Sequence, residues 1–338
     1  MHSVEAHGAA TAEPDGASYR ETISAGLAER WPENGELLGS ICHYALVPAG
    51  KLFRSTLLIE SALAVGGDPR VVYPAALGAE SGHVASLIHD DIIDGDNVRR
   101  GRPSVQHKYG VDNAIVAGDA LIFDLFAGLA ECQRTGATDS RVVWALRVVA
   151  ECGIDLCRGQ SMEAEIRDRQ DFELDSYLTM ARLKTAALFR AACGCGAILA
   201  GGDPSSVDSL NTYAVDFGTA FQIHDDVLAY TASAVSTGKP DTSDVRNGRI
   251  TFPVALAYQS AMGRQRRAIR SMLSEGGDEA ERKAVMTEIF AETGALEQAA
   301  TSAREYADSA IKALHELPHT PSRDRLTEFA ELAISRDH

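Results

Sequence analysis

The chain has 338 residues and a net charge of −16 at pH 7, from 32 basic and 48 acidic side chains. That balance excludes a nucleic-acid binder that must neutralise phosphates broadly, yet it leaves room for a local anion site built from a few cations and metal ions. The six cysteines (Cys42, Cys132, Cys152, Cys157, Cys193, Cys195) form no paired C-x-x-C framework. They read as buried thiols of a reducing, cytoplasmic compartment rather than as disulfides or zinc ligands.

Residues 1–18 are rich in Ala, Gly, His and Glu and lack a basic start followed by an apolar segment. They are expected to be a disordered tail rather than a signal, leaving residues 19–338 as a single all-helical domain. Apolar residues then recur every three to four positions over 20–30, 36–47, 51–65, 71–94, 112–132, 139–168, 173–200, 205–230, 250–262, 263–275, 278–293 and 296–315. Gly- and Pro-rich breakers separate these stretches, and alternating strand patterns are scarce. The longest apolar candidate, Ala114 to Ala130, is interrupted by Asp119 and Asp124, so no transmembrane segment is expected.

Two short phrases occur twice. Gly-Gly-Asp-Pro stands at 66–69 and 201–204, Ile-His-Asp-Asp at 88–91 and 223–226, and both pairs are offset by 135 residues. Equal offsets suggest two halves that each end a helix in an acidic cluster, converging on a central cavity of one large bundle. Adjacent carboxylates inside apolar helices are costly unless cations meet them. Asp90 and Asp94 lie one helical turn apart on one face, a spacing suited to a hard divalent ion, and the second cluster offers Asp225 and Asp226.

Basic residues follow and precede these clusters. Arg99 and Arg100 come just after the first, and guanidinium forks bind phosphate oxygens in pairs. Lys51 and Arg54 stand three apart at a helix start, where backbone N–H groups also favour anions. His83 is two turns before Asp90 on nearly the same face. Lys184-Thr185 and Gly238-Lys239-Pro240 add further groups able to reach a phosphate.

In this order and spacing, Lys51-x-x-Arg54, His83, Asp90-Asp91-x-x-Asp94, Arg99-Arg100-Gly101, Gly159-Gln160, Lys184-Thr185, Phe221-Gln222-x-x-Asp225-Asp226, Gly238-Lys239-Pro240 and Gly248-Arg249-x-Thr251 resemble the trans-isoprenyl diphosphate synthases. The resemblance runs from about residue 45 to 255. It implies the all-α isoprenoid-synthase bundle, a homodimer, and condensation of isopentenyl diphosphate with an allylic diphosphate. It implies about two to three Mg²⁺ ions, held directly by Asp90, Asp94 and Asp225. Asp91 and Asp226 would support these ligands. Lys51, Arg54, His83 and Arg100 would hold isopentenyl diphosphate; Arg99, Lys184, Thr185, Gln222, Lys239 and Arg249 would hold the allylic diphosphate. Catalysis would then rest on Asp90, Asp91, Asp94, Arg99, Lys184, Asp225, Asp226 and Lys239, which stabilise the leaving diphosphate where its charge develops.

The chain departs from that pattern at Ala229, where the family has a third acid in the second cluster, and at Leu52, Ser55, Thr242 and Arg249, where it more often has Arg, Pro, Gly and Lys. These departures keep open a non-catalytic subunit of a heteromeric synthase. Upstream of Asp90 the residues near one face are small (Ser86, Ala85, Gly82, Ala79, Gly78) and open a path of roughly 16 Å at 1.5 Å per residue. With no aromatic plug there, the expected product is geranylgeranyl diphosphate (C20), with C25–C40 products as the alternative and Phe123 or Phe126 as the candidate floor.

Overall fold

The computed structural model describes residues 16–33, 35–231, 247–273 and 279–335. Helices follow one another as α1 (Gly16–Arg30), α2 (Leu37–Leu46), α3 (Phe53–Ala64), α4 (Pro69–Asp94), α5 (Val105–Tyr109), α6 (Val111–Thr135), α7 (Asp139–Arg169), α8 (Leu174–Ala181), α9 (Ala187–Ala200) and α10 (Pro204–Thr231). Then come α11 (Phe252–Ser260), α12 (Gly263–Met272), α13 (Glu279–Thr293), α14 (Ala295–Ala313) and α15 (Pro321–Ser335). The fold is the all-α bundle expected. Helix α1 begins at Gly16, inside the stretch expected as a tail; residues 1–15 lie outside the described residues.

Two long helices set the height of the acidic clusters. Helix α4 starts with Pro69 at its first turn, and Asp68 caps it by accepting from the Arg70 N–H. Helix α10 starts one residue after Asp203, whose carboxylate accepts from the Ser206 N–H at 2.7 Å. The two starting turns touch each other. A Cβ on Gly67 would fall 2.3 Å from the Ala200 Cβ, and one on Gly202 would fall 3.2 Å from Val65. Each acidic cluster therefore sits the same number of residues from a shared base, about 33 Å along its helix at 1.5 Å per residue. Helix α9 packs against both, and α3 packs against α4 and α9.

Burial divides into two clusters. One gathers α1 to α6, the first half of α7, α9, the first half of α10, the end of α14 and α15 around fully buried Phe189, Tyr213 and Phe217. The other gathers the end of α7, α8, the rest of α10 and α11 to α14 around Tyr177, Ile223 and Phe290. Helices α7, α10 and α14 run through both.

Among the described residues, the stretch Leu174–Ala200, rather than Ala114–Ala130, is the helical run long and apolar enough to cross a membrane by length and composition. Two thirds of its most apolar window is buried inside the protein (67%), so its apolarity is that of a core element. The final helix, α15, lies beyond the last periodic stretch read in the sequence.

Candidate active site

Helix α4 stops at Gly95, whose left-handed backbone (φ +65°) caps the carbonyls of Asp91 and Ile92. The chain then forms a two-residue hairpin, β1 (Val98–Arg99) paired antiparallel with β2 (Arg102–Pro103). Its loop residues Arg100 and Gly101 both have positive φ (52° and 72°), the signature of a type I′ turn. The strands are too short to leave a periodic signal in the sequence. Arg102 ties the hairpin to the end of α2 by donating to the Tyr44 carbonyl at 2.8 Å and the Val47 carbonyl at 3.0 Å. Thus Arg99 and Arg100 are fixed by backbone geometry, with the Arg100 guanidinium lying on Gly50, where a Cβ would come within 2.5 Å of it.

Arg54, His83 and Arg100 gather on one side of the acidic clusters. The Arg54 guanidinium stacks 4.5 Å above the Phe189 ring, and its Nε is buried without a hydrogen-bond partner. Burial pulls its pKa down to about 10, and it feels the fields of both Asp225 and Asp90. His83 Nδ1 is likewise buried and unpartnered. Burial, reinforced by Arg54, Arg100 and Arg99, pushes the His83 imidazolium pKa well below its ordinary value, so the ring is neutral near pH 7. Glu80, one turn before His83 and 2% exposed, is drawn up by burial against the pull of Arg54 and Arg100. Lys51 stands exposed just ahead of α3.

Asp90 is pushed above the ordinary carboxylate range by burial, with Asp94 and Glu163 adding repulsion and Lys184 and Arg249 opposing it. Asp94 meets Arg249, whose Nη2 donates to both carboxylate oxygens at 2.6 and 2.7 Å. Asp91 faces the other way: it is buried and paired with Arg99, whose Nε donates at 2.8 Å. Arg99 is therefore held by its own acidic neighbour rather than standing among the cations at Asp90 and Asp94.

On the opposite wall, residues Arg182–Ala186 form a π-helical turn between α8 and α9. Such turns insert a residue into the helical register and re-aim side chains. Gly159 of α7 admits this turn, since a Cβ there would come 2.4 Å from the Lys184 nitrogen. Lys184 Nζ lies 2.7 Å from Glu163, and Thr185 Oγ1 donates to Gln222 at 2.5 Å. Gln222 in turn donates to Asp226 at 2.8 Å. Asp226 also accepts from the Tyr177 hydroxyl at 2.6 Å and the Phe252 N–H at 2.8 Å. Three donors leave this carboxylate an anchor that joins α8, α10 and α11. Asp225, its neighbour, belongs to the field around Arg54. Ala229 packs against the second apolar cluster. Lys239 and Thr242 lie outside the described residues.

Below the cations is a small cavity lined by Arg54, Leu58, Ala79, Gly82, Leu125, Leu129, Val149 and Cys195, among others. Ala79 and Gly82 line this cavity, although a Cβ on Gly82 would fall 2.7 Å from the Leu125 side chain; Gly78 serves close helix packing, where an added Cβ would come 3.0 Å from the Leu125 backbone. Phe123 does not floor this cavity. It is 72% exposed, and Phe126 packs against the core without lining the space; Leu125 and Leu129 present the α6 face instead.

This combination of an anion-seeking rim and an apolar pit matches a known family. The polyprenyl synthetase family model matches residues 35–290. The chain belongs to the polyprenyl synthetases. It is 35% identical over 319 residues to a short chain isoprenyl diphosphate synthase of Methanothermobacter thermautotrophicus, covering 94% of this chain and 95% of that one. It is 31% identical to a geranylfarnesyl diphosphate synthase of Natronomonas pharaonis, covering 95% and 97%. Among solved structures, geranylgeranyl pyrophosphate synthetase of Pyrococcus horikoshii superposes with a TM-score of 0.87 at 30% identity, covering 94% and 96%. Polyprenyl synthetases are trans-prenyltransferases, so the chain is an enzyme of that class.

Glu163 was not readable as part of this site. It follows Gly159-Gln160 by one turn, and that spacing is the only trace of it in the sequence.

Proposed function

We propose that the protein condenses isopentenyl diphosphate with an allylic diphosphate and releases geranylgeranyl diphosphate, C20. The observation that carries this reading is the meeting of both acidic clusters at one set of cations: Arg249 grips Asp94, and Arg54 lies in the fields of Asp90 and Asp225. Arg54, His83 and Arg100, with Lys51 at their edge, would take isopentenyl diphosphate. The unpartnered Nε of Arg54 and Nδ1 of His83 are polar atoms waiting for an anion and its hydration. Lys184, Thr185, Gln222 and Arg249, with Lys239 and with Arg99 once it is released from Asp91, would take the allylic diphosphate.

The donor set fits a hard divalent cation such as Mg²⁺. Asp90 and Asp94 offer oxygen ligands on one face, and the burial that pushes Asp90 up is relieved by a cation. Among the described residues no three His, Cys, Asp or Glu side chains stand ready to enclose an ion. Mg²⁺ does not require such a cage, because substrate phosphates and water complete its shell. Asp90, Asp94 and Asp225 would hold it, and when bound it stabilises the negative charge that gathers on the departing diphosphate. Lys184 and Arg249 place positive charge at the same oxygens. Apolar walls around the tail keep water from the allylic cation, and the departing diphosphate takes the final proton.

The exposed apolar residues support a homodimer. Val111, Ile115 and Ile122 share one face of α6, Val143 and Ile154 share one face of α7, and Phe123 is exposed on an adjoining face of α6. The free thiols fit a cytoplasmic setting. We read residues 19–338 as one domain because three long helices run through both apolar clusters.

The test is purified protein with Mg²⁺, isopentenyl diphosphate and a C5, C10 or C15 primer, with products sized after dephosphorylation. A C20 limit is expected. Products of C25 or more would move the protein to the longer-chain class, and no elongation from any primer would leave a non-catalytic subunit.

A further inference from the structure

Two of the cations that act on Asp90, Lys184 and Arg249, are not independent. Lys184 arrives on the π-helical turn and Arg249 on the segment ahead of α11, and both approach one oxygen of one side chain. Glu163 Oε2 lies 2.7 Å from Lys184 Nζ and 3.8 Å from the Arg249 guanidinium, and Gln160 donates to the same oxygen at 3.4 Å. We propose that Glu163 is a positioning residue that presets Lys184 and Arg249 for the allylic diphosphate. This rests on the assignment of those two cations to that substrate.

The argument is first geometric. Gly159 lets α7 meet the π-helical turn backbone to backbone, so the distance between the two elements is fixed. Glu163 stands one turn further along α7 on the same face and is only 19% exposed. Its reach to Lys184 is therefore set by rigid elements.

The second part is electrostatic. Lys184 and Arg249 repel each other, and each is a long side chain that loses rotamer freedom when it is ordered. A carboxylate between them offsets the repulsion and orders both before substrate arrives, which is preorganisation. Burial works against a charged Glu163, but Arg249 and Lys184 outweigh it and keep the group ionised. Glu163 would touch neither the reacting carbons nor the leaving oxygen; it acts through the two cations.

Glu163→Gln keeps the shape and removes the charge. Its KM for geranyl diphosphate should rise about tenfold, because loosened positioning groups cost at least that much. The KM for isopentenyl diphosphate should change less than twofold, and the thermal midpoint should hold. Glu163→Asp, which keeps the charge, should recover part of the loss. Lys184→Ala is the companion measurement. If Lys184→Ala raises the geranyl diphosphate KM and Glu163→Gln does not, the role of Glu163 is overturned while the site assignment stands. If Lys184→Ala leaves that KM unchanged, the assignment itself fails. Equal rises in both KM values for Glu163→Gln, or a fall in kcat alone, would also overturn the positioning role.

Discussion

Arg249 holds both oxygens of Asp94, 155 residues earlier in the chain, at 2.6 and 2.7 Å. One guanidinium nitrogen, Nη2, is shared between the two carboxylate oxygens, so the contact is a charge-assisted pair. It occupies the oxygens that a divalent cation would use. Arg249→Gln should therefore tighten Mn²⁺ binding several-fold in the absence of substrate, read by electron paramagnetic resonance, while weakening the allylic substrate. Metal affinity equal to that of the unaltered protein would show that Asp94 is free to exchange partners at no cost.

Tail length should answer to the cavity rather than to the exposed aromatic residue of α6. Ala79→Phe narrows the cavity and should shift products down by at least one C5 unit. Leu129→Ala opens it and should shift them up. Phe123→Ala, on the outer surface, should leave the chain length of the tail-lining subunit unchanged. Identical product profiles for the first two variants would remove this cavity as the path of the tail.

The exposed apolar faces of α6 and α7 should hold two copies together. Phe123→Glu places a charge on the exposed apolar surface of α6, where an unpaired charge is costly once covered. Sedimentation should move from dimer toward monomer, with retained helical content.

His83 gives the stability a pH dependence of known sign. Its folded pKa is depressed well below 6.5, so the unfolded chain binds a proton that the native protein does not. Stability conferred by the neutral ring is present above about pH 6.5 and is lost as pH falls below it. At about pH 5.5 the loss attributable to this group is about 1.4 kcal/mol. Urea unfolding at the two extremes should show a difference that shrinks by about that amount in His83→Asn.

Glu60 is fully buried on α3 and has Arg325 of α15 as its ion-pair partner, 2.7 Å away. Removing one member of a buried pair costs on the order of 3 kcal/mol, the low end applying because Arg325 is partly exposed. Arg325→Met should lower the urea midpoint accordingly, and adding Glu60→Gln should restore much of the loss.

The sequence carried the main frame. The equal offset of two capped turns and two acidic clusters is realised as two helices begun at one base, because cap chemistry and helix rise are local properties. The cations on the hairpin and the π-helical turn were legible as residue types, but not their pairing. Arg99 turns to Asp91 and Lys184 to Glu163 because of a type I′ loop and a helical register shift, and neither leaves a periodic trace. The phase of α6 was also beyond reach. That helix is apolar toward the core and toward the outside, so nothing in its pattern distinguishes Phe123 from Leu125, two positions and about 200° apart. Glu163 failed for a related reason: α7 spans 31 residues, and only the fold selects the turn that meets the site.

The partnership of Glu60 and Arg325 spans 265 residues, nearly the whole chain. During synthesis the third helix emerges with a carboxylate that must wait for a counter-ion made 265 residues later. Until α15 clears the ribosome, that part of the interior is left with an unneutralised anion, and nascent chains cut short before residue 325 should be preferred clients of chaperones and proteases.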